Sequence, residues 1–416
     1  TLITSSAASD VYKRQPVSEM HQDLIRFSRR RPMGLILPAL FSELEGKALP
    51  LIINELKGVP YLNQIVIGLD KANEDQYVHA LQFFSELPQH LRVLWNDGPR
   101  LKAIDKQLEK LDLAPKEYGK GRNVWYCMGY VLATGRAESV ALHDCDITTY
   151  NKELLARLIY PVANPQFNYE FCKGFYARVA NGKINGRVSR LLVSPLIQAL
   201  KANLGQMDYL DYMDSFRYPL AGEFSFRRDV LNDIRIPSDW SLEVGVLSEM
   251  YRNYANNRLC QVDIADNYDH KHQSLSVNDE SKGLSKMSID IAKGLFRKLA
   301  TQGVIFSQET FRSIKATYYR KALDVIENCH NDAVMNGLSL DVHEEEKAVE
   351  MFAQNIIKAG EIFTAIPMER PFLPSWNRVV SAIPDIYDQL IEAVDKDLKE
   401  FQLAKTTVRR LKRASR

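Results

Sequence analysis

The sequence predicts an α/β protein in which a mainly parallel sheet is flanked by helices and followed by an all-helical C-terminal extension. Short apolar runs alternate with helical patterns from Arg31 to about Gln273, which is typical of βαβ units. From about Met287 onward, apolar residues recur at i, i+3 and i+4, and no strand pattern appears. The 416 residues, 45% hydrophobic and 25% charged, have the composition of an ordinary globular protein.

The order of the elements follows from where each pattern begins and ends. Four buried strands are predicted, over 34–38, 64–69, 91–95 and 139–142. Helices are predicted between and around them, over 43–57, 75–87 and 122–134. The extension is predicted to form helices over 289–301, 308–332, 343–363 and 383–403. Ligands of such sheets bind at the carboxyl ends of the strands, so the polar residues that follow each strand are the candidate site.

Charge and apolar runs exclude several classes of partner. Lys and Arg number 54 and Asp and Glu 52, a net charge of +2, which predicts no nucleic acid as a partner. The longest apolar stretch near the start, Met33 to Leu40, is too short to cross a bilayer, so no membrane association is expected. The five cysteines are scattered without a CxxC pair, which predicts reduced thiols and a cytoplasmic protein.

Three segments are predicted along the chain. Residues 1–19 are small and polar and resemble a cloning scar more than a signal peptide, so we expect them to be non-native or disordered. Met20 is then the expected biological start. The α/β part is predicted over 20–285, and the helical extension over 286–416.

The sharpest chemical signal is His143-Asp144-Cys145-Asp146, directly after the fourth predicted strand. Two carboxylates one residue apart at a strand end can face one divalent cation, and hard oxygen ligands suit Mg²⁺ or Mn²⁺. Such a cation in turn holds a diphosphate. A solvated acidic turn is the alternative, because DxD alone is a weak motif.

Two glycine-containing segments could bind anions. Gly119-Lys120-Gly121 precedes a predicted helix, where free backbone N–H groups and the lysine favour a phosphate. Gly186-Arg187-Val188-Ser189 precedes another, and its guanidinium can grip an oxyanion in bidentate fashion. Ordinary surface loops with solvated charges explain both segments equally simply.

Further candidates are a histidine pair and two glutamates. His270 and His272 follow an apolar stretch and are candidate metal ligands. Glu223 and Glu243 each lie beside small or apolar residues, as carboxylates that bind sugar hydroxyls would. For Glu243, a stabilising position in the first turn of a helix is the alternative.

Taken in order, these motifs resemble those of the glucosyl-3-phosphoglycerate synthase family, which are retaining glycosyltransferases with a GT-A fold. The resemblance covers about Leu35 to Leu275. It depends on the segments Leu37-Pro38-Ala39-Leu40, Gly119-Lys120-Gly121, Asp144-Cys145-Asp146, Lys173-Gly174-Phe175-Tyr176, Gly186-Arg187-Val188-Ser189, Pro219-Leu220-Ala221-Gly222-Glu223, Leu242-Glu243-Val244-Gly245 and His270. The occurrence of all these segments in the same order is a more specific sign of the family than any single segment.

The resemblance implies a role for each matching residue on the donor side. The base and ribose of the nucleotide would be bound by Pro38, Ala39, Leu40 and Glu43. The rest of the donor would be bound by Lys120, Asp144, Cys145, Glu223 and Glu243. Cys145 stands where the family commonly has serine, and its side chain should point away from the metal. Phe41 and Ser42 intervene before Glu43, so the match slips at that position.

The resemblance also implies the metal, the acceptor site and the reaction. Mg²⁺ or Mn²⁺ would be bound by Asp146 and His270, with His272 as the second choice for the histidine. The acceptor site would consist of Tyr176, Gly186, Arg187 and Ser189, the last standing where the family has threonine. Asp146 and Glu243 are the expected catalytic residues. The enzyme would transfer glucose from UDP-glucose to 3-phosphoglycerate, and a homodimer is expected.

Three alternatives stay open from the sequence. One is a GDP-mannose-dependent mannosyl-3-phosphoglycerate synthase, or a related transferase with another acceptor. Another is a non-catalytic protein that binds a sugar nucleotide at a decayed site. The third is an interaction protein in which the helical extension serves assembly.

Overall fold

A computed structural model describes residues 16–115, 118–270, 283–367 and 372–414, with side chains described to residue 402. Its centre is a seven-stranded sheet in the order β10-β5-β8-β4-β1-β2-β3. The strands are β1 Met33–Leu40, β2 Leu62–Asp70, β3 Leu91–Trp95, β4 Ser139–Leu142, β5 Phe171–Tyr176, β8 Phe224–Arg227 and β10 Leu259–Ala265. Neighbouring strands are parallel, except that β8 runs antiparallel to β4 and β5. The prediction of a mainly parallel sheet is confirmed.

Helices connect these strands and cover both faces of the sheet. In chain order they are α1 Val17–Phe27, α2 Phe41–Leu44, α3 Ala48–Lys57, α4 Glu74–Phe84, α5 Pro99–Glu109, α6 Lys120–Thr134, α7 Lys152–Ala163, α8 Ser194–Leu204, α9 Asp208–Asp214, α10 Arg228–Asp233 and α11 Leu242–Asn253. A π-helical segment, Val188–Val193, leads into α8. Two short ladders join β6 Val179–Ala180 to β7 Lys183–Ile184, and β9 Ile236–Pro237 to β11 Phe372–Leu373.

The two faces of β1 belong to two apolar clusters, because successive side chains of a strand point to opposite sides. Leu35 and Leu37 pack with residues of α3 and α7. Ile36 packs on the other side with residues of α6, among them the fully buried Trp125. Both faces of the strand are therefore apolar, as the unbroken hydrophobic run of β1 predicts.

The extension is helical in its described residues, apart from β11. Its helices are α12 Gly283–Ala300, α13 Gln308–Met335, α14 Val342–Ala365, α15 Trp376–Ala382 and α16 Ile386–Ala414. They share one apolar cluster with α6 and with one face of the sheet. Trp376 of α15 stacks on Trp125 of α6 with ring centroids 4.3 Å apart and donates its Nε1–H to the Trp125 carbonyl at 3.0 Å. The extension therefore packs directly on the α/β part.

One helix overlaps the first predicted segment, residues 1–19. Helix α1 begins at Val17, inside the stretch 1–19, and buries Met20, Leu24 and Phe27 against the rest of the chain. Residues 1–15 lie outside the described ranges, and the division near 285 stays a prediction. Within the described ranges, no helix combines the length and the apolarity needed to cross a bilayer.

Candidate active site

The candidate site lies where the strands at the middle of the sheet end. Asp144 and Asp146 follow β4 directly, and Pro38 to Leu40 form the end of the neighbouring β1. Tyr176 is the last residue of β5, on the other side of β8. The sheet topology thus brings three motifs that are far apart in the sequence to one edge of the sheet, as expected of parallel strands.

Lys120 joins two of the predicted carboxylates in an ion cluster. It is the first residue of α6, and its Nζ lies 2.7 Å from Asp144 Oδ1 and 3.0 Å from Glu243 Oε1. Burial opposes the charge of Lys120, but Asp144 and Glu243 together raise its pKa well above the usual value. Burial likewise opposes the charge of Asp144, and Lys120 lowers the pKa of that carboxyl. Lys120 and Asp144 are therefore held charged at neutral pH.

Asp146 turns away from this cluster and towards His270. Its Oδ2 lies 3.8 Å from His270 Nδ1, and its buried Oδ1 accepts no hydrogen bond from the described residues. Burial and the adjacent Asp144 carboxylate raise the pKa of Asp146 to about 7. Glu43 is held nearby by a hydrogen bond from the Leu40 backbone N–H, 2.9 Å, and burial with the charges of Asp146 and Asp144 raises its pKa to about 7.

These residues fit a divalent cation. A carboxylate oxygen buried without a partner costs free energy that a cation would recover, and crowded carboxylates with raised pKa values are relieved in the same way. No group of three or more His, Cys, Asp and Glu side chains within the described ranges could hold a metal by itself. Asp146 and His270 would therefore share the ion with ligand oxygens, as hard cations bound to diphosphates do. His272, the second-choice histidine, lies outside the described residues.

Glu223 lies deeper and is held by two tyrosines. It is fully buried and accepts hydrogen bonds from Tyr268 Oη at 2.6 Å and Tyr176 Oη at 2.9 Å. The two rings stack with centroids 3.5 Å apart. Burial, followed by the charge of Asp144, raises the pKa of Glu223 to about 7. Cys145 is also buried, in the apolar cluster that contains Leu35 and Leu37 of β1.

The predicted acceptor segment, which begins at Gly186, lies at the border with the extension. Gly186 has φ = 79°, a left-handed conformation that favours glycine, and Arg187 follows as the residue that precedes the π-helical segment. Arg187 Nε donates to Glu345 Oε1 of α14 at 3.0 Å. Ser189 is buried, and its Oγ has no hydrogen-bond partner among the described residues.

A cavity of about 760 Å³ lies next to this segment. Arginine, tyrosine, asparagine and aliphatic side chains of the sheet part line it, together with residues at and just after the end of α13. The lining residues include Tyr176, Arg178, Asn185, Arg190, Asp332 and Asn336. Arg178 Nη1 also lies 2.5 Å from His270 Nε2, so this arginine reaches from the cavity to the predicted metal ligand. The cavity and the acidic site are therefore adjacent.

Three residues at the site were not among the sequence candidates. Tyr268 holds Glu223, and its signal was its position two residues before His270. Arg178 lies two residues after the candidate Tyr176, and this position was its only signal. Glu345 could not have been found, because it lies 158 residues from Arg187 in a helix with the pattern of a core helix.

The chain is similar to two curated proteins named glucosyl-3-phosphoglycerate synthase. The protein of Persephonella marina is 46% identical over 386 residues, which are 93% of this chain and 95% of that protein. The protein of Methanococcoides burtonii is 42% identical over 377 residues, or 89% and 91% of the two chains. No family model matches the chain.

The fold is similar to a solved structure as well. The crystal structure of glucosyl-3-phosphoglycerate synthase from Mycobacterium tuberculosis in complex with Mn²⁺, UDP-glucose and phosphoglyceric acid aligns with a TM-score of 0.50 and 19% identity. The alignment covers 71% of this chain and 87% of that one. This likeness concerns the arrangement of the sheet and its helices.

Proposed function

Since the chain belongs to the glucosyl-3-phosphoglycerate synthase family and is a glycosyltransferase, we propose that it transfers glucose from UDP-glucose to 3-phosphoglycerate. The observation that carries the proposal is that a charged cluster and a cavity lie side by side at one edge of the sheet. The charged cluster of Lys120, Asp144 and Glu243 lies at the strand ends, beside Asp146 and next to a cavity lined by arginines. A donor with a diphosphate suits the first feature, and an anionic acceptor suits the second.

On the donor side, the end of β1 would hold the nucleoside. Pro38, Ala39 and Leu40 offer backbone groups there, and Glu43 is half-buried beside them. Lys120 and Asp144 would contact the nucleotide, and Glu243 would bind hexose hydroxyls. Cys145 would line the donor side through its backbone, because its side chain is buried in the core. Glu223 would act with Tyr176 and Tyr268, since both of its oxygens already accept hydrogen bonds.

On the acceptor side, the phosphate would bind Gly186, Arg187 and Ser189, with Tyr176 on the wall towards the donor. The buried Oγ of Ser189 has no hydrogen-bond partner in the described part of the chain. This supports the assignment, because a buried hydroxyl without a hydrogen bond is costly unless a ligand supplies one. The free hydroxyl of 3-phosphoglycerate would then form the new bond to the anomeric carbon while the bond to the UDP oxygen breaks. The proton would pass to a phosphate oxygen of the leaving UDP, with retention as in the family.

Asp146 and His270 would hold the divalent cation, Mg²⁺ or Mn²⁺. When bound, it neutralises the charge that develops on the leaving diphosphate. The contribution of the protein would be to orient donor and acceptor and to supply a preorganised charged environment through Lys120 and Glu243. The expected homodimer and the absence of a nucleic-acid or membrane partner stay predictions.

An activity assay tests the proposed function directly. Purified protein is incubated with UDP-glucose or GDP-mannose, each with 3-phosphoglycerate or glycerate, in Mg²⁺ and in EDTA, and nucleotide release and product mass are followed. We expect transfer only from UDP-glucose to 3-phosphoglycerate and only with the metal. Transfer from GDP-mannose alone would overturn the donor, and transfer to glycerate alone would overturn the phosphate site.

The Asp144 carboxylate packs so closely against Gly222 that a side chain at position 222 would have no room. A Cβ at Gly222 would overlap the carboxylate, so Gly222→Ala should displace Asp144 from Lys120. We expect kcat/KM for UDP-glucose to fall roughly 100-fold, the size of loss that an ångström of misplacement causes. Gly58→Ala is the matched control, because Gly58 has φ = −88° and its nearest atom to a new Cβ is 3.6 Å away. Equal activity of both variants would contradict the role of Asp144.

Arg187→Ala tests the acceptor site. A charge-assisted hydrogen bond contributes about 1.5–3 kcal/mol, so KM for 3-phosphoglycerate should rise roughly 10–100-fold while KM for UDP-glucose stays the same. Steady-state kinetics with each substrate varied in turn measures the two constants. An unchanged KM for 3-phosphoglycerate would remove Arg187 from the acceptor site.

A further inference from the structure

Two arginines of the acceptor segment converge on one carboxylate from the helical extension. Glu345 Oε1 accepts from Arg187 Nε at 3.0 Å, and Glu345 Oε2 lies 2.7 Å from Arg190 Nη1. The Glu345 side chain is only 2% exposed, whereas that of Arg187 is 35% exposed. The carboxylate therefore lies behind the arginines, on the side away from solvent.

The extension holds Glu345 at this place by several contacts. It lies in the first turns of α14, which Asp341 caps by accepting from the Glu344 backbone N–H. Just before the helix, the Ser339 backbone N–H donates to the Gly182 carbonyl at 2.8 Å, in the loop between β6 and β7. The same region of the extension lines the 760 Å³ cavity through Asp332 and Asn336. These contacts anchor the start of α14, and with it Glu345, close to Arg187 and Arg190.

The hydrogen bond from Arg187 to Glu345 uses one edge of the guanidinium. Glu345 engages the Nε–H of Arg187, and the two terminal amino groups form a second edge that could grip an anion in bidentate fashion. Arg190 is held by Glu345 and by its own Nε–H, which donates to the Asn185 carbonyl at 3.1 Å. Arg187 and Arg190 are three residues apart and would repel each other without the carboxylate between them.

We propose that Glu345 is a positioning residue of the acceptor site, which holds Arg187 and Arg190 for the phosphate of the acceptor. This inference rests on the proposed function and assigns part of the acceptor site to the helical extension. Glu345 does not touch the substrate and acts through the two arginines. The extension is then required for acceptor binding as well as for the core.

Glu345→Gln removes the charge and keeps the size. The amide has one acceptor oxygen, so it can hold one arginine, and its NH₂ group faces the other guanidinium as a second donor. One arginine should be released. We expect KM for 3-phosphoglycerate to rise about 10-fold, since the charged contact of one arginine is lost. KM for UDP-glucose should change less than twofold, which is a split that general loss of structure would not produce.

The experiment compares full-chain Glu345→Gln, Arg187→Ala and Glu344→Gln by kinetics and thermal unfolding. Glu344 is the matched control, because it lies one residue earlier on α14 and pairs with exposed Lys347. A rise in acceptor KM for Glu345→Gln but not for Glu344→Gln supports the proposal. An unchanged or lower acceptor KM overturns it, as does a fall in kcat with both KM values unchanged. If Arg187→Ala raises the acceptor KM and Glu345→Gln does not, the role of Glu345 is wrong but the acceptor site stands. If neither variant raises the acceptor KM, the assignment of the acceptor site is wrong as well.

Discussion

Replacement of Asp146 by asparagine should abolish transfer and leave the fold intact. Asp146 is the carboxylate that faces His270, and its buried Oδ1 has no partner among the described residues. Asparagine removes the negative charge with which Asp146 would hold the cation. Because preorganised electrostatics of this kind contributes roughly 1,000-fold, we expect kcat to fall by at least about that factor.

The stability of the same variant separates a functional residue from a structural one. An ionised carboxylate without partners destabilises the folded state, and the pKa of Asp146 is raised to about 7 by burial and by Asp144. The thermal midpoint of metal-free Asp146→Asn should therefore equal or exceed that of the original protein. Asp324→Asn on α13, where Asp324 pairs with Arg320 on the surface, is the control for both measurements. Retained activity in Asp146→Asn would remove Asp146 from the metal site.

The largest effect on stability is expected for Trp376→Ala. Trp376 is 1% exposed, stacks on Trp125 and donates to its backbone carbonyl. Truncation of a buried tryptophan costs about 3–5 kcal/mol, because the cavity it leaves closes only in part. The free energy of unfolding, measured in urea, should fall by that amount in one cooperative transition.

The number of unfolding transitions in urea shows whether the extension and the sheet part unfold together. Trp376 belongs to the apolar cluster that runs from the sheet through α6 to the helices α12 to α16. Trp240→Ala is the matched control, since Trp240 is 41% exposed and should cost less than about 1 kcal/mol. Two separated transitions, or a loss in Trp376→Ala no larger than in the control, would contradict a shared core.

Four of the seven strands of the main sheet could be predicted because their patterns are local. The run Gly34 to Pro38 is apolar without alternation and is found as part of β1, Met33–Leu40. The predicted helix over 122–134 is found as α6, Lys120–Thr134. The patterns missed β5, β8 and β10, whose runs contain polar residues, and the π-helical segment before α8.

The residues of the candidate site could be named from their motifs, but most of the contacts between them could not. Spacing alone leaves Asp144 and Asp146 equivalent. The family resemblance pairs Asp146 with His270, and the structure adds that Asp144 faces Lys120. The same is true of Glu243, which the sequence explains equally well as a helix-terminal glutamate. In the structure, it is an ion partner of Lys120, 123 residues earlier.

The sequence by itself therefore determined the α/β class, the positions of the strands and the chemical type of the groups at their ends. These depend on hydrophobic periodicity and on residue identity, which are properties of short segments. Tertiary structure alone decided which carboxylate meets which cation, that Tyr268 holds Glu223, and that Glu345 of the extension meets Arg187. Such pairings join residues far apart in the chain, and only the packing of whole helices and strands brings them within a few ångströms.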